Sequence, residues 1–149
     1  MNLPRKFEEY VKEGIVKKQS PNLSRAKFLI EEADKSYLGL KQRIEKIGVN
    51  NLNANSIIKD CHDIFLELIR AKMLIGGYNA SGFFAHESEV SYMKNIGFSE
   101  NEVSLMNELR FLRNGILYYG KILDESYAKQ IFDFLEKNYL KLKQKIKLS

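Results

Sequence analysis

The apolar residues of this chain recur every three or four positions, and this spacing constrains the fold more than any other feature. The most regular stretch lies between Ser24 and Gly48. Its apolar stripe consists of Ala26, Leu29, Ile30, Ala33, Tyr37, Leu40, Ile44 and Ile47. Such a stripe predicts one long amphipathic helix, and Gly48 is a typical residue just beyond a helix C-terminus. The alternating patterns that indicate strands are weak.

Helices are also predicted on both sides of this one. An N-terminal helix has Pro4 in its first turn and apolar residues extending to Ile15, and it ends at the sequence QSPN. A third helix carries apolar residues from Ile57 to Ile75 and stops at a Gly-Gly pair, with Asn55 or Ser56 as its N-cap. A connector rich in small and aromatic residues follows the Gly-Gly pair.

The second half of the chain predicts one short and two longer helices. The short helix covers residues 87–95. Ser99 and Glu102 then form the pattern of a capping box, which opens a helix running toward Tyr119. Asp124 and Glu125 suit the start of the last helix, because acidic groups are favourable there. The sequence therefore predicts an all-α fold, an up-and-down antiparallel bundle of four main helices plus short helices. Residues 1–149 are expected to form a single domain.

Composition excludes several classes of protein. The apolar runs are too short for a transmembrane span, and the N-terminus lacks the apolar core of a signal peptide. Cys61 is the only cysteine among 149 residues, so no internal disulfide can form. These features favour a cytoplasmic protein without membrane contact.

The formal net charge of +5 is concentrated at the two ends. Five lysines and no acidic residue lie in 137–149, and residues 1–27 carry a net +4. Basic ends can attract an anionic partner. They also suit the C-terminus of a helix and a solvated surface, so the charge alone leaves both interpretations open.

The usual catalytic and metal-binding motifs are missing from the sequence. There is no Walker A pattern, and GGYNASG does not match a dinucleotide-binding loop in the required context. Cys61 and His62 are neighbours that point about 100° apart on a helix, so they are not expected to share a metal ion. We expect Cys61 to be buried and His62 to be exposed. No metal or other cofactor is predicted.

The helix that leads to Tyr119 combines an apolar face with an unusual polar one. On a helical wheel, Leu105, Leu109, Leu112, Ile116 and Tyr119 form the core face. Arg110, Arg113, Asn114, Leu117 and Tyr118 fall on the opposite side, where they are expected to be exposed. Arginine matches phosphate geometry, and tyrosine can stack on a base. Leu117 on this face and Met106 at its edge are also compatible with a protein interface.

The sequence LRNGILYYGK (Leu112 to Lys121) resembles the signature helix of HEPN domains, the higher-eukaryote and prokaryote nucleotide-binding helical bundles. The resemblance in pattern covers Ile57 to Leu142 and includes the order of the helices. It implies a helical bundle that dimerises, with the signature helices lining a cleft between subunits. It also implies pairing with a nucleotidyltransferase antitoxin, since many family members are ribonuclease toxins of such toxin–antitoxin pairs.

The resemblance carries the family's signature onto particular residues. Arg113 matches the signature arginine, Asn114 the polar residue after it, and Tyr118 the position of the catalytic histidine. Tyrosine titrates near pH 10 and histidine near pH 6.5, so Tyr118 is poorly suited to acid–base work at neutral pH. His86, in the connector, could enter the cleft instead.

Three hypotheses follow from these observations. The first is a non-catalytic HEPN-like homodimer that binds RNA, a nucleotide or a nucleotidyltransferase partner. Its RNA- or nucleotide-binding residues would be Arg110, Arg113, Asn114, Tyr118 and Lys121. The second is a metal-independent ribonuclease toxin that uses Arg113, Asn114 and Tyr118. The third is a structural helical adaptor. The family also suggests Tyr118 as an acceptor for nucleotidylation by an antitoxin.

Overall fold

The computed structural model describes residues 2–114 and 123–146. Within these ranges the chain forms an all-α helical bundle with one small two-stranded sheet, which confirms the predicted fold class. The helices are α1 (Phe7–Lys12), α2 (Leu23–Ile47), α3 (Ala54–Ile75), α4 (Ala85–Asn95), α5 (Glu100–Arg113) and α6 (Glu125–Lys145). The strands are β1 (Val16–Lys18) and β2 (Tyr78–Ala80).

Helix α3 is the centre of the bundle. It packs against α2, α4, α5 and α6, so it is apolar around most of its circumference. Phe65 illustrates this position, because its ring contacts both Phe98 and Phe134 and is almost fully buried. The few polar side chains of α3 therefore lie where other elements leave an opening.

Strands β1 and β2 are antiparallel, with Val16 opposite Ala80 and Lys18 opposite Tyr78. The sequence pattern did not predict this sheet, and the N-terminal helix predicted from it is too long. Helix α1 ends at Lys12, and Gly14 at φ +80° turns the chain into β1. Three-residue strands are too short to show a periodicity, and their hydrogen bonds come from a distant segment.

Several predicted helix ends are confirmed. Ser99 and Glu102 form a complete capping box at α5, Gly48 ends α2 at φ +83°, and the Asp124 side chain accepts a hydrogen bond from the Tyr127 amide at the start of α6. The predicted N-cap of α3 is wrong by two or three positions. Asn53 occupies it, held by a hydrogen bond between its side-chain oxygen and the Asn50 amide.

Part of the basic charge at the chain ends is engaged within the fold. The Lys143 ammonium group lies 2.7 Å from Oδ2 of Asp34, and the Tyr139 hydroxyl donates a hydrogen bond to Oδ1 of the same carboxylate. The Arg5 guanidinium pairs with Glu13 at 2.6 Å. Among the described residues, no helix is both long enough and apolar enough to cross a membrane.

Candidate functional site: a charged cleft between helices α3, α4 and α5

Arg113 and Asn114 lie together at the C-terminal end of α5, facing α3. Arg113 is the last residue of the helix and Asn114 is its C-cap. Both line a cavity of about 330 Å³, which we call the signature cleft. The other residues that line it are His62, Asp63, Leu66, Glu67, Arg70 and His86. Helix α3 contributes five of these, and α4 contributes His86.

The Arg113 guanidinium is anchored to α3 through one edge. Its Nε donates to both carboxylate oxygens of Asp63, at 3.1 and 3.2 Å. These bonds do not involve the two terminal amino groups, and the side chain is 42% exposed. Arg113 is thus oriented by Asp63 and retains donors for a phosphate group.

Asp63 also holds the first of two histidines in the signature cleft. Its Oδ1 lies 3.0 Å from Nδ1 of His62. Burial alone would raise the pKa of Asp63, but the hydrogen bonds to His62 and Arg113 outweigh burial and lower it. The expectation that His62 is exposed is wrong, since it is only 3% exposed. A helical wheel cannot show that α3 is covered on nearly every side.

Glu89 holds the second histidine in a similar arrangement. This buried carboxylate of α4 accepts hydrogen bonds from Arg70 Nε at 2.6 Å and Arg70 Nη2 at 3.0 Å. Its Oε1 also lies 3.0 Å from Nδ1 of His86. Burial acts to raise the pKa of Glu89, but the bonds to His86 and Arg70 lower it overall. Glu89 therefore orients one arginine and one histidine, as Asp63 does.

The two carboxylate–histidine pairs, Asp63–His62 and Glu89–His86, place two oriented imidazole rings around one cavity. A carboxylate bonded to Nδ1 fixes the ring orientation and leaves Nε2 for a proton transfer. The His86 side chain is half exposed, so its Nε2 is accessible, whereas His62 is enclosed. No group of three or more His, Cys, Asp or Glu side chains within 2–114 and 123–146 could hold a metal ion.

Among the described residues, the charges lining the signature cleft are balanced. Two carboxylates, Asp63 and Glu67, face two guanidinium groups, Arg70 and Arg113. These residues alone do not make a general basic patch, and Asp63 competes with any anion for Arg113. Recognition of a phosphate would depend on the direction of the free Arg113 donors rather than on net charge.

Arg110 does not belong to the signature cleft, and the prediction that it is exposed beside Arg113 is wrong. Its side chain is 12% exposed. Its Nε donates to Asn107 at 3.0 Å, its Nη2 lies 3.5 Å from Glu87 of α4, and its guanidinium lies over the Phe111 ring. The wheel gives the direction of Arg110 correctly but cannot show that α4 brings a carboxylate to cover it.

Tyr118 and Lys121 lie outside the described residues, as does the predicted part of the helix from Gly115 to Tyr119. Their assignments as binding residues, and that of Tyr118 as a catalytic or nucleotidylated residue, stay predictions.

Four residues of the site were not singled out from the sequence: Asp63, Glu67, Arg70 and Glu89. The spacing of three of them in the sequence could have indicated that they share one side of a helix. Asp63, Glu67 and Arg70 are spaced by four and three positions, so they form one polar line along α3. For Glu89 the sequence shows only the i, i+3 spacing from His86 on α4, and its other partner, Arg70, comes from α3.

Comparison of the chain with protein-family models, with curated proteins and with solved structures found no match.

Proposed function

We propose that this chain is a HEPN-like, non-catalytic protein that binds the phosphate of RNA or of a nucleotide in the signature cleft. One observation carries the proposal: Arg113 and Asn114, the pair that resembles the HEPN signature, line the same cavity as Arg70 and both histidines. The terminal amino groups of Arg113 supply the phosphate contact, since Asp63 engages only its Nε. Asn114 offers an amide for a sugar hydroxyl or a base edge.

Exposed aromatic rings near α4 favour a single-stranded ligand. Phe83 is 95% exposed, and its ring meets that of Phe84 edge to face at 5.0 Å. Phe83 and Phe84 are the two residues immediately before α4, and His86 is the second residue of that helix. Bases of single strands stack on such rings, whereas bases in a duplex are not available.

Replacing Arg113 by alanine is expected to weaken the binding of a short single-stranded RNA about tenfold, or about 1.4 kcal/mol. The reason is the loss of a directed, charge-assisted contact with phosphate. Fluorescence anisotropy over a series of salt concentrations measures this. The slope of the logarithm of the binding constant against the logarithm of the salt concentration should decrease by the equivalent of about one phosphate contact.

The matched control for that variant is Arg43→Ala. Arg43 is also a partly exposed arginine paired with an aspartate of α3, Asp60, but it lies outside the signature cleft. An equal loss of affinity in both variants would show that binding depends only on general charge. Asp63→Asn should bind RNA at least as tightly as the wild type, because it removes the competing charge but keeps a side-chain oxygen that can accept from Nε of Arg113.

A second candidate function, a metal-independent ribonuclease, is favoured by the His86–Glu89 pair. In this scheme Nε2 of His86 accepts the proton of a 2′-hydroxyl, and O2′ forms a bond to the adjacent phosphorus. The bond from phosphorus to O5′ then breaks, O5′ takes a proton from water, and the protonated His86 gives its proton to the hydroxide that remains. Arg113 stabilises the charge on the phosphate. His86 would then perform the work that the resemblance assigns to position 118.

If the chain cleaves RNA, His86→Ala is expected to slow cleavage by at least about 100-fold, which is the usual contribution of a general base. Gel analysis of a labelled RNA measures this, with a substrate carrying a single 2′-deoxy position as the control. Cleavage that Arg113→Ala also abolishes would overturn the non-catalytic proposal. Cleavage that survives His86→Ala would remove His86 from the scheme.

The resemblance also leads us to propose a homodimer and a nucleotidyltransferase partner. A monomer at micromolar concentration, measured by light scattering, would contradict a cleft shared between subunits. If purified protein neither binds nor cleaves RNA, the structural adaptor becomes the better hypothesis.

A further inference from the structure

Two buried polar atoms at the signature cleft lack hydrogen-bond partners. Among the described residues, Nε2 of His62 and Oε2 of Glu67 are the buried side-chain atoms without one. An unsatisfied buried polar atom costs about 1 to 3 kcal/mol and is unusual in a folded protein. Both residues line the same 330 Å³ cavity. Because the two unsatisfied atoms belong to one cavity, we interpret them as the acceptors of a ligand.

The chemistry of these two atoms is the same. The carboxylate of Asp63 only accepts hydrogen bonds, so the His62 Nδ1 beside it must donate. In the neutral imidazole, Nε2 is then an acceptor. Oε2 of the Glu67 carboxylate is also an acceptor. A single group with two donor hydrogens, such as an amino group, could satisfy both acceptors.

The two acceptors are held on a rigid support. His62 and Glu67 lie on α3, the most buried helix of the bundle, and the His62 ring is additionally oriented by Asp63. Asp63 in turn holds Arg113, so the phosphate donor and the buried acceptor are joined through one carboxylate. Leu66 adds an apolar surface to the same cavity.

We propose that the floor of the signature cleft binds the exocyclic amino group of a nucleobase, while Arg113 binds the phosphate of the same nucleotide. This inference rests on the proposed function and adds a base preference to it. The amino groups of adenine and cytosine carry two N–H donors that can meet His62 and Glu67 together. Uracil and hypoxanthine present a carbonyl oxygen at that position, which would face two acceptors. The cavity is at the small end of ligand sites, which suits a single nucleotide.

The test compares nucleotides that differ only at this group. Calorimetric titrations at pH 8 with AMP against IMP, and with CMP against UMP, are expected to show about tenfold tighter binding of the amino-bearing member of each pair. Ribose 5-phosphate, which has no base, measures the phosphate contact alone. Equal affinities within both pairs would overturn the inference and indicate that water satisfies the two atoms.

Variants separate this inference from the function on which it rests. His62→Phe and Glu67→Gln should each bring the AMP to IMP affinity ratio close to one, and both variants should still bind ribose 5-phosphate through Arg113. Arg113→Ala should weaken the binding of all four nucleotides and of ribose 5-phosphate. Arg113-dependent binding of ribose 5-phosphate without any base preference would refute the inference and preserve the proposed function. If none of these five ligands binds, the inference is refuted, and if single-stranded RNA does not bind either, so is the proposed function.

Discussion

Replacing Glu89 by glutamine is expected to lower the free energy of unfolding at pH 7 by about 2 to 4 kcal/mol. The buried carboxylate is the common partner of Arg70 and His86, and the amide that replaces it directs N–H groups toward a guanidinium. Removing one member of a buried pair leaves the other charge without compensation. The Arg70 side chain is 26% exposed, so water screens part of this loss. Urea denaturation followed by circular dichroism measures the difference.

The effect of Glu89→Gln should depend on pH in a defined direction. The pKa of Glu89 in the folded state lies below its ordinary value of 4.5. A lowered pKa stabilises the fold above the unfolded-state pKa, and this contribution is lost as the pH falls through the folded-state pKa. The gap between wild type and variant should therefore be largest near neutral pH and become smaller below about pH 4.5.

Asp60→Asn is the matched control for Glu89→Gln. It makes the same change from carboxylate to amide in a pair with Arg43 that has the same 2.6 Å separation, but the Arg43 and Asp60 side chains are 53% and 36% exposed, whereas that of Glu89 is 3% exposed. We expect a loss of at most about 1 kcal/mol. A similar loss in the two variants would contradict the importance that we assign to burial.

Gly77→Ala is expected to destabilise the fold by about 2 to 4 kcal/mol. Gly77 has a φ of +82°, and a Cβ atom there would lie 2.6 Å from the backbone oxygen of Gln19. The Gln19 amide donates to the Gly77 carbonyl at 2.8 Å, so the two segments cannot separate without breaking this bond. Thermal and urea denaturation measure the change.

Gly82→Ala separates the two causes of the stability loss expected for Gly77→Ala, which are the positive φ angle and the close contact with Gln19. Gly82 has a φ of +85°, but nothing lies within 4 Å of the position of its Cβ. Only the backbone conformation is unfavourable there, which should cost about 1 kcal/mol. If Gly77→Ala cost no more than Gly82→Ala, the close approach of Gln19 would be irrelevant to stability.

Local features of the sequence predicted the helical fold well. The stripe along α2, the capping box at Ser99 and the glycine at position 48 each act within a few residues, so the sequence contains all the partners involved. The β1–β2 sheet was missed because its partners lie about 60 residues apart. The end of α1 was placed too late because the apolar residue Ile15 fits a helix and a turn equally well.

The candidate site was predictable only in part. The pattern around Arg113 and Asn114 singled out two residues that do line a cavity with other polar groups. The same helical wheel placed Arg110 with them, although Glu87 of α4 covers it. His62 was expected to be exposed, because a neighbour of a buried cysteine normally points toward solvent on a two-sided helix.

The sequence by itself determined where most helices form and where most of them end. These properties depend on spacing and on contacts between near neighbours. The sequence placed Met106 at the edge of the polar face of α5, although Met106 is only 1% exposed.

Only the tertiary structure decided which polar groups of different helices meet. The crossing of α3, α4 and α5 brings Asp63 to Arg113 and Glu89 to Arg70, whereas His86 and Glu89 are i, i+3 neighbours on α4 itself. Hydrogen bonds and burial depend on distances in space, and helical periodicity specifies only direction around one axis.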